Sequence, residues 1–101
     1  MNTPLGLRWR VVRSEEADRD FGSLNPERRK RIKNALELLR DGPYVKGSKL
    51  LDQYDDMWSL QVDDWRIVFV PEFDTREVRV QRIRHRQVVY EGLLPRRRPD
   101  S

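Results

Sequence analysis

No cysteine occurs anywhere in the 101 residues, which excludes a disulfide framework, a thiol nucleophile and a thiolate zinc site together. A single histidine, His85, excludes a metal centre built on several imidazoles. No apolar run approaches the roughly 18 residues of a membrane span, and the N-terminus has no apolar segment of the signal-peptide kind. A cytoplasmic protein without membrane contact is therefore expected. Glycine is scarce, and no phosphate-loop spacing or nucleophile elbow is present. Asp55-Asp56 and Asp63-Asp64 read as turn residues, where Asp bonds locally, rather than as a magnesium site. Neither a metal nor a cofactor is expected.

What the chain has in quantity is arginine. Of its 21 basic residues 17 are Arg, whose planar fork grips a phosphate with two parallel hydrogen bonds where Lys offers a point charge. The charge is polarised. Residues 76–98 hold eight Arg against Glu77 and Glu91, a local net charge of +6, while the rest of the chain sums to −2. A polyanion is the natural partner for that end. The length suits one small core, so residues 1–94 are expected to form a single domain and residues 95–101 a basic tail.

Hydrophobic patterning gives the element order. Leu5, Leu7, Trp9 and Val11 alternate with Arg8 and Arg10, a period-two strand over residues 5–13. Ser14 is placed to cap a short helix whose first turn carries Glu15, Glu16 and Asp18, acids that suit the positive end of the helix dipole. Asn25-Pro26 starts a second helix with Ile32, Ala35, Leu36 and Leu39 on one face, ended by Gly42-Pro43. After a stretch of loop, with a short strand expected around residues 49–51, two strands run through Trp58–Val62 and Trp65–Val70 about an Asp63-Asp64 turn. Residues 71–75 make the next turn. A strand then carries Val78, Val80 and Ile83, and its switch from even to odd apolar positions implies a bulge or a strand end near Arg82. Val88-Val89-Tyr90 reads as a short final element. The class is α+β: an N-terminal strand, a helical hairpin, then an antiparallel sheet of three to four strands with the helices on one face and the first strand at an edge or beside a neighbour.

Alternation turns Ser59, Gln61 and Arg66 away from the aromatic face of Trp58, Trp65 and Phe69, so the face opposite the helices is expected to be open and polar. Arg66 stands in the most hydrophobic strand, where it serves either a ligand or a structural ion pair with Asp63 or Asp74. The segment 82–90 combines Arg82, Arg84 and Arg86 with His85, an imidazole able to give or take a proton, and Tyr90, an aromatic able to stack on a base.

The tract from Trp58 to Val70, followed by Val78 to Tyr90, resembles the RelE/ParE toxin superfamily. Its members commonly carry a tyrosine- or tryptophan-arginine strand, here Trp65-Arg66, and then an isoleucine-x-histidine-arginine-x-x-x-tyrosine ending, here Ile83 to Tyr90. The resemblance covers about residues 7–92 and implies the toxin of a type II toxin–antitoxin pair. Its partners would be a separately encoded antitoxin with an acidic binding segment and mRNA on the ribosome. The implied activity is a metal-independent, ribosome-dependent mRNA endoribonuclease that inhibits translation. By that resemblance Arg66, Arg86, His85 and Tyr90 are the candidate catalytic residues, and Arg82, Arg84, Gln61 and Ser59 the candidate RNA contacts. One departure stands out: RelE has two lysines in acid–base roles on the strand before its arginine, and this chain has Ser59 and Gln61 there. The alternatives are a ParE-like inhibitor that contacts DNA gyrase, which needs no catalytic residue, and a basic RNA-binding module without catalysis.

Overall fold

A computed structural model describes residues 8–42, 48–51 and 56–85. Its first strand, β1 (Arg10–Arg13), is shorter than the expected span. Trp9 precedes it, sending its backbone N–H to the Arg40 carbonyl at 2.8 Å and packing its ring against the core. Ser14 then caps helix α1 (Glu15–Gly22), its hydroxyl accepting from the Ala17 N–H at 3.0 Å. Helix α2 (Pro26–Leu38) starts as expected: Asn25 accepts from the Arg28 N–H at 2.8 Å, and Pro26 occupies a position where no N–H is needed. One tight turn, Leu39–Asp41, ends the hairpin at Gly42, whose φ of 141° is open to glycine and strained for any other residue.

The remaining elements are strands: β2 (Ser48–Leu50), β3 (Trp58–Val62), β4 (Trp65–Glu72) and β5 (Glu77–His85). Together with β1 they form one five-stranded sheet in the order β1-β5-β4-β3-β2, the N-terminal strand beside four antiparallel strands, as expected. β1 lies at an edge, parallel to β5, and the other pairs are antiparallel. β4 continues through Pro71 to Glu72, so the turn to β5 falls later than expected, with Arg76 at a positive φ of 54°. The Val88–Tyr90 element and the tail of residues 95–101 lie outside the described residues.

The alternation of β3, β4 and β5 divides the sheet cleanly. Leu60, Ile67, Phe69, Val78, Val80 and Ile83 meet Ala17, Leu24, Ile32, Ala35, Leu36 and Leu39 of the helical layer in a single core, with Phe69, Ile67 and Ile83 fully buried. The bulge is present. Phe69 faces Val80 and Val68 faces Arg82, leaving Gln81 as the extra residue of β5. The opposite face is not polar throughout, as the sequence suggested, because Val68 and Val70 bury themselves with Leu51 and Met57 in a second apolar cluster. Polar residues on that side stand at both ends of the sheet: Glu72, Glu77 and Arg79 where β4 ends and β5 begins, and Gln61, Arg66 and Arg84 at the end where β4 begins and β5 ends.

Candidate anion-binding site

At that end three strands contribute one cross-strand row, Gln61 opposite Arg66 and Arg66 opposite Arg84. Directly opposed side chains on an antiparallel pair share a face, with Cβ atoms about 4.5–5.5 Å apart. Two guanidinium groups therefore project from adjacent strands onto the side away from the helices. Both residues are half-buried. Neither forms a salt bridge among the described residues. Like charges placed opposite each other destabilise a sheet, so the row costs the fold something that an anion between the two cations would relieve.

Arg66 has one neutral partner. Its Nη1 donates to the Ser59 hydroxyl at 3.4 Å, and Ser59 is fully buried. Ser59 was expected to touch RNA; its burial instead makes it an internal support for Arg66. The ion pair of Arg66 with Asp63 or Asp74 is not formed. Asp63 accepts from Arg28 and Arg31 of α2, each at 3.0 Å, and so ties the β3–β4 turn to the helical hairpin. The turn reading of Asp63 holds, with a positive φ of 56° that Asp tolerates. Gln61 is exposed and spends its amide N–H on the Asp63 carbonyl at 2.9 Å, leaving its oxygen free to accept.

Arg82, also an expected RNA contact, has a partner within the fold. Although register sets it opposite Val68, its guanidinium is drawn to Asp20 of α1, Nε to Oδ2 at 2.8 Å and Nη2 to Oδ1 at 3.1 Å. The Asp20 hydrogen bond, with the attraction of the Asp20 and Glu16 charges, holds Arg82 above the ordinary arginine range against the opposing effect of burial. Stability from such a cation is complete below its unfolded pKa and is lost only as pH rises through the raised folded value. The pair is therefore constant across the physiological range. Sequence reasoning missed Asp20, although a signal existed: an acid in the last turns of an eight-residue helix opposes the helix dipole and asks for a cationic partner.

His85 is opposite Trp65, not Arg66. The two rings meet edge to face at 5.9 Å, and Arg28 lies 5.7 Å over the same Trp65 ring. The structure thus brings Arg66, Arg84 and Gln61 together and sets His85 on the helix-covered side. Arg86 and Tyr90 lie outside the described residues. A separate open groove of about 1060 Å³ runs between β1 and the two helices, where Lys30 and Lys33 join Val12, Phe21 and Leu36. It is remote from the arginine row. Among the described residues no group of three or more His, Asp or Glu could hold a metal ion, and no helix is long and apolar enough to cross a membrane.

Comparison with known proteins places the geometry in context. Residues 11–90 match the model of a family described as the ParE toxin of the type II toxin–antitoxin system parDE. Among solved structures the chain is similar to a toxin–antitoxin complex of Mycobacterium tuberculosis, RelBE2, at 20% identity and a TM-score of 0.70, covering 84% of this chain and 98% of that one. It is also similar to the intact RelBE complex of Escherichia coli, at 18% identity and a TM-score of 0.67 over 76% and 95% of the two chains. The archaeal RelE–RelB complex of Pyrococcus horikoshii gives 14% and 0.67 over 77% and 94%. At these identities the likeness is one of fold. No curated protein matches in sequence.

Proposed function

The chain belongs to the family of ParE toxins of type II toxin–antitoxin systems, and we propose that it inhibits translation as a ribosome-dependent mRNA endoribonuclease, held inactive by a cognate antitoxin. The observation that carries this reading is the Arg66–Arg84 row, two half-buried cations side by side without a carboxylate partner among the described residues. Cleavage by a ribose 2′-oxygen needs cations on the non-bridging oxygens of the phosphorane, and an arginine pair fits that requirement. Arg86 would add a further grip and Tyr90 a stacking surface or a proton. His85, turned toward Trp65, is less suited to proton transfer than the sequence implied. General acid–base help contributes roughly 10²- to 10⁴-fold, so a toxin relying on Tyr90 or on ribosomal groups would bind RNA well and cut slowly. The antitoxin proposal draws on the RelB-containing complexes among the similar structures. An acidic segment that folds onto the arginine row would neutralise it.

A second reading, inhibition of DNA gyrase by protein contact, is favoured by the ParE family match and by the lack of a lysine at Ser59 and Gln61. The two separate in one pair of assays. mRNA cut in a translating extract, with cutting abolished by Arg86→Ala, supports the ribonuclease. Loss of supercoiling by purified gyrase with intact mRNA supports the alternative and removes the ribonuclease.

A further inference from the structure

We propose that Asp20 is the positioning residue of the anion site: it sets the register in which Arg84 stands beside Arg66 and withholds Arg82 from any ligand. This rests on the phosphate-binding reading of the Arg66–Arg84 row. β1 ends at Arg13. Its last pair is Arg13 with Val80, after which the chain turns into α1, and α1 itself takes over the hydrogen-bonding edge of β5. Ser14 donates its N–H to the Val80 carbonyl at 2.8 Å and its hydroxyl to the Gln81 carbonyl at 2.9 Å. On the far side of the bulge, Asp20 Oδ2 accepts from the Ile83 N–H at 3.0 Å while the same carboxylate holds Arg82. The extra residue Gln81 is thus gripped from both directions by one short helix.

The grip matters because the bulge decides which side chains share a face. Counting by twos from Val80, which is buried against the helices, an unbulged strand would turn Arg82 and Arg84 into the core and set His85 on the side of Arg66. With Gln81 inserted, Ile83 enters the core and Arg84 emerges opposite Arg66. Asp20 also answers for Arg82. Its two hydrogen bonds occupy the guanidinium, whose side chain is 18% exposed, leaving Arg66 and Arg84 as the ligand-facing cations of this end among the described residues.

The test uses the full chain and a single-stranded oligouridylate as probe, with affinity followed against salt and amide exchange followed without RNA. Arg66→Gln and Arg84→Gln should each flatten the log–log salt slope by about 0.7, the value for one phosphate contact on a single strand, whereas Arg82→Gln should leave the slope unchanged. A slope flattened equally by Arg82→Gln would overturn the withholding. In the Arg82→Gln background, Asp20→Ala should speed exchange at Ile83 and weaken binding about tenfold, equivalent to one charged contact. Asp20→Asn in that background keeps an acceptor for the Ile83 N–H and should restore both. Unchanged exchange and binding in Asp20→Ala would overturn the positioning role. Should Asp20→Ala not fold, Asp20→Asn in the wild-type background decides: it loosens Arg82 and should steepen the slope by about 0.7, and a constant slope counts against the proposal. Indifference of binding to both Arg66→Gln and Arg84→Gln would instead remove the anion site, while the exchange data still judge Asp20.

Discussion

Two neighbouring rows of the β4–β5 ladder, one residue apart, meet opposite surroundings. Trp65 and His85 turn toward the helices, where Arg28 approaches the indole. Arg66 and Arg84 turn away from them, with the Ser59 hydroxyl as the polar support of Arg66. Each row places a cation near a partner on the adjacent strand or layer, yet only the first is satisfied by its neighbours. The contrast shows that charge density alone does not mark a binding surface. Arg28, Arg31 and Arg82 are as cationic as Arg66, but each already answers a carboxylate of the fold. Arg66 and Arg84 answer none among the described residues, so a partner for their row has to come from outside.

The separation of the two rows fails most severely if the layer behind them collapses. Phe69→Ala, which empties a fully buried position shared by the sheet and the helices, should cost about 3–5 kcal/mol, measured as a lower midpoint in urea unfolding. Retention of the wild-type midpoint would mean that the two faces are not separated by the packing described. Next in size, Arg66→Ala and Arg84→Ala should each weaken single-stranded RNA binding by about tenfold. Their unfolding midpoints should stay equal to or above wild type, because a like-charge opposition is removed. A loss of stability matching the loss of binding would turn the row into a structural one. Asp63→Ala, on the satisfied side, should lower stability by less than about 1 kcal/mol, since its pairs with Arg28 and Arg31 are substantially exposed. The smallest effect belongs to His85→Ala, which should leave RNA affinity unchanged in equilibrium titration. A marked drop there would mean that the histidine reaches the arginine face in the bound state.

Much of this arrangement was legible from residue order. The alternation Trp58-Ser-Leu-Gln-Val and Trp65-Arg-Ile-Val-Phe assigned faces correctly, and the even-to-odd switch after Val80 located the bulge. Those are local signals, set by the period of the strand. The parts that were not legible depend on pairs far apart in the chain. Asp20 meets Arg82 across 62 residues and Asp63 meets Arg31 across 32, and no periodicity encodes which acid answers which base. Burial of Val68 and Val70 was missed for the same reason: it comes from Leu51 and Met57 closing over the sheet, from a stretch without a readable pattern. The face opposite the helices was therefore expected to be polar along its length and proved apolar in its middle, around Val68 and Val70.

The short parallel strand at the sheet's border carries one more consequence. A bare strand edge invites copies of the same chain to stack side by side and grow into fibres. β1 exposes only four residues, and arginines stand at both of its ends. An antiparallel encounter of two copies centred on Val11 and Val12 would set Arg10 of each against Arg13 of the other, so the Arg10–Glu77 and Arg13–Asp18 pairs would have to make room for a second cation. The border that completes the sheet thereby also discourages self-assembly when the protein accumulates.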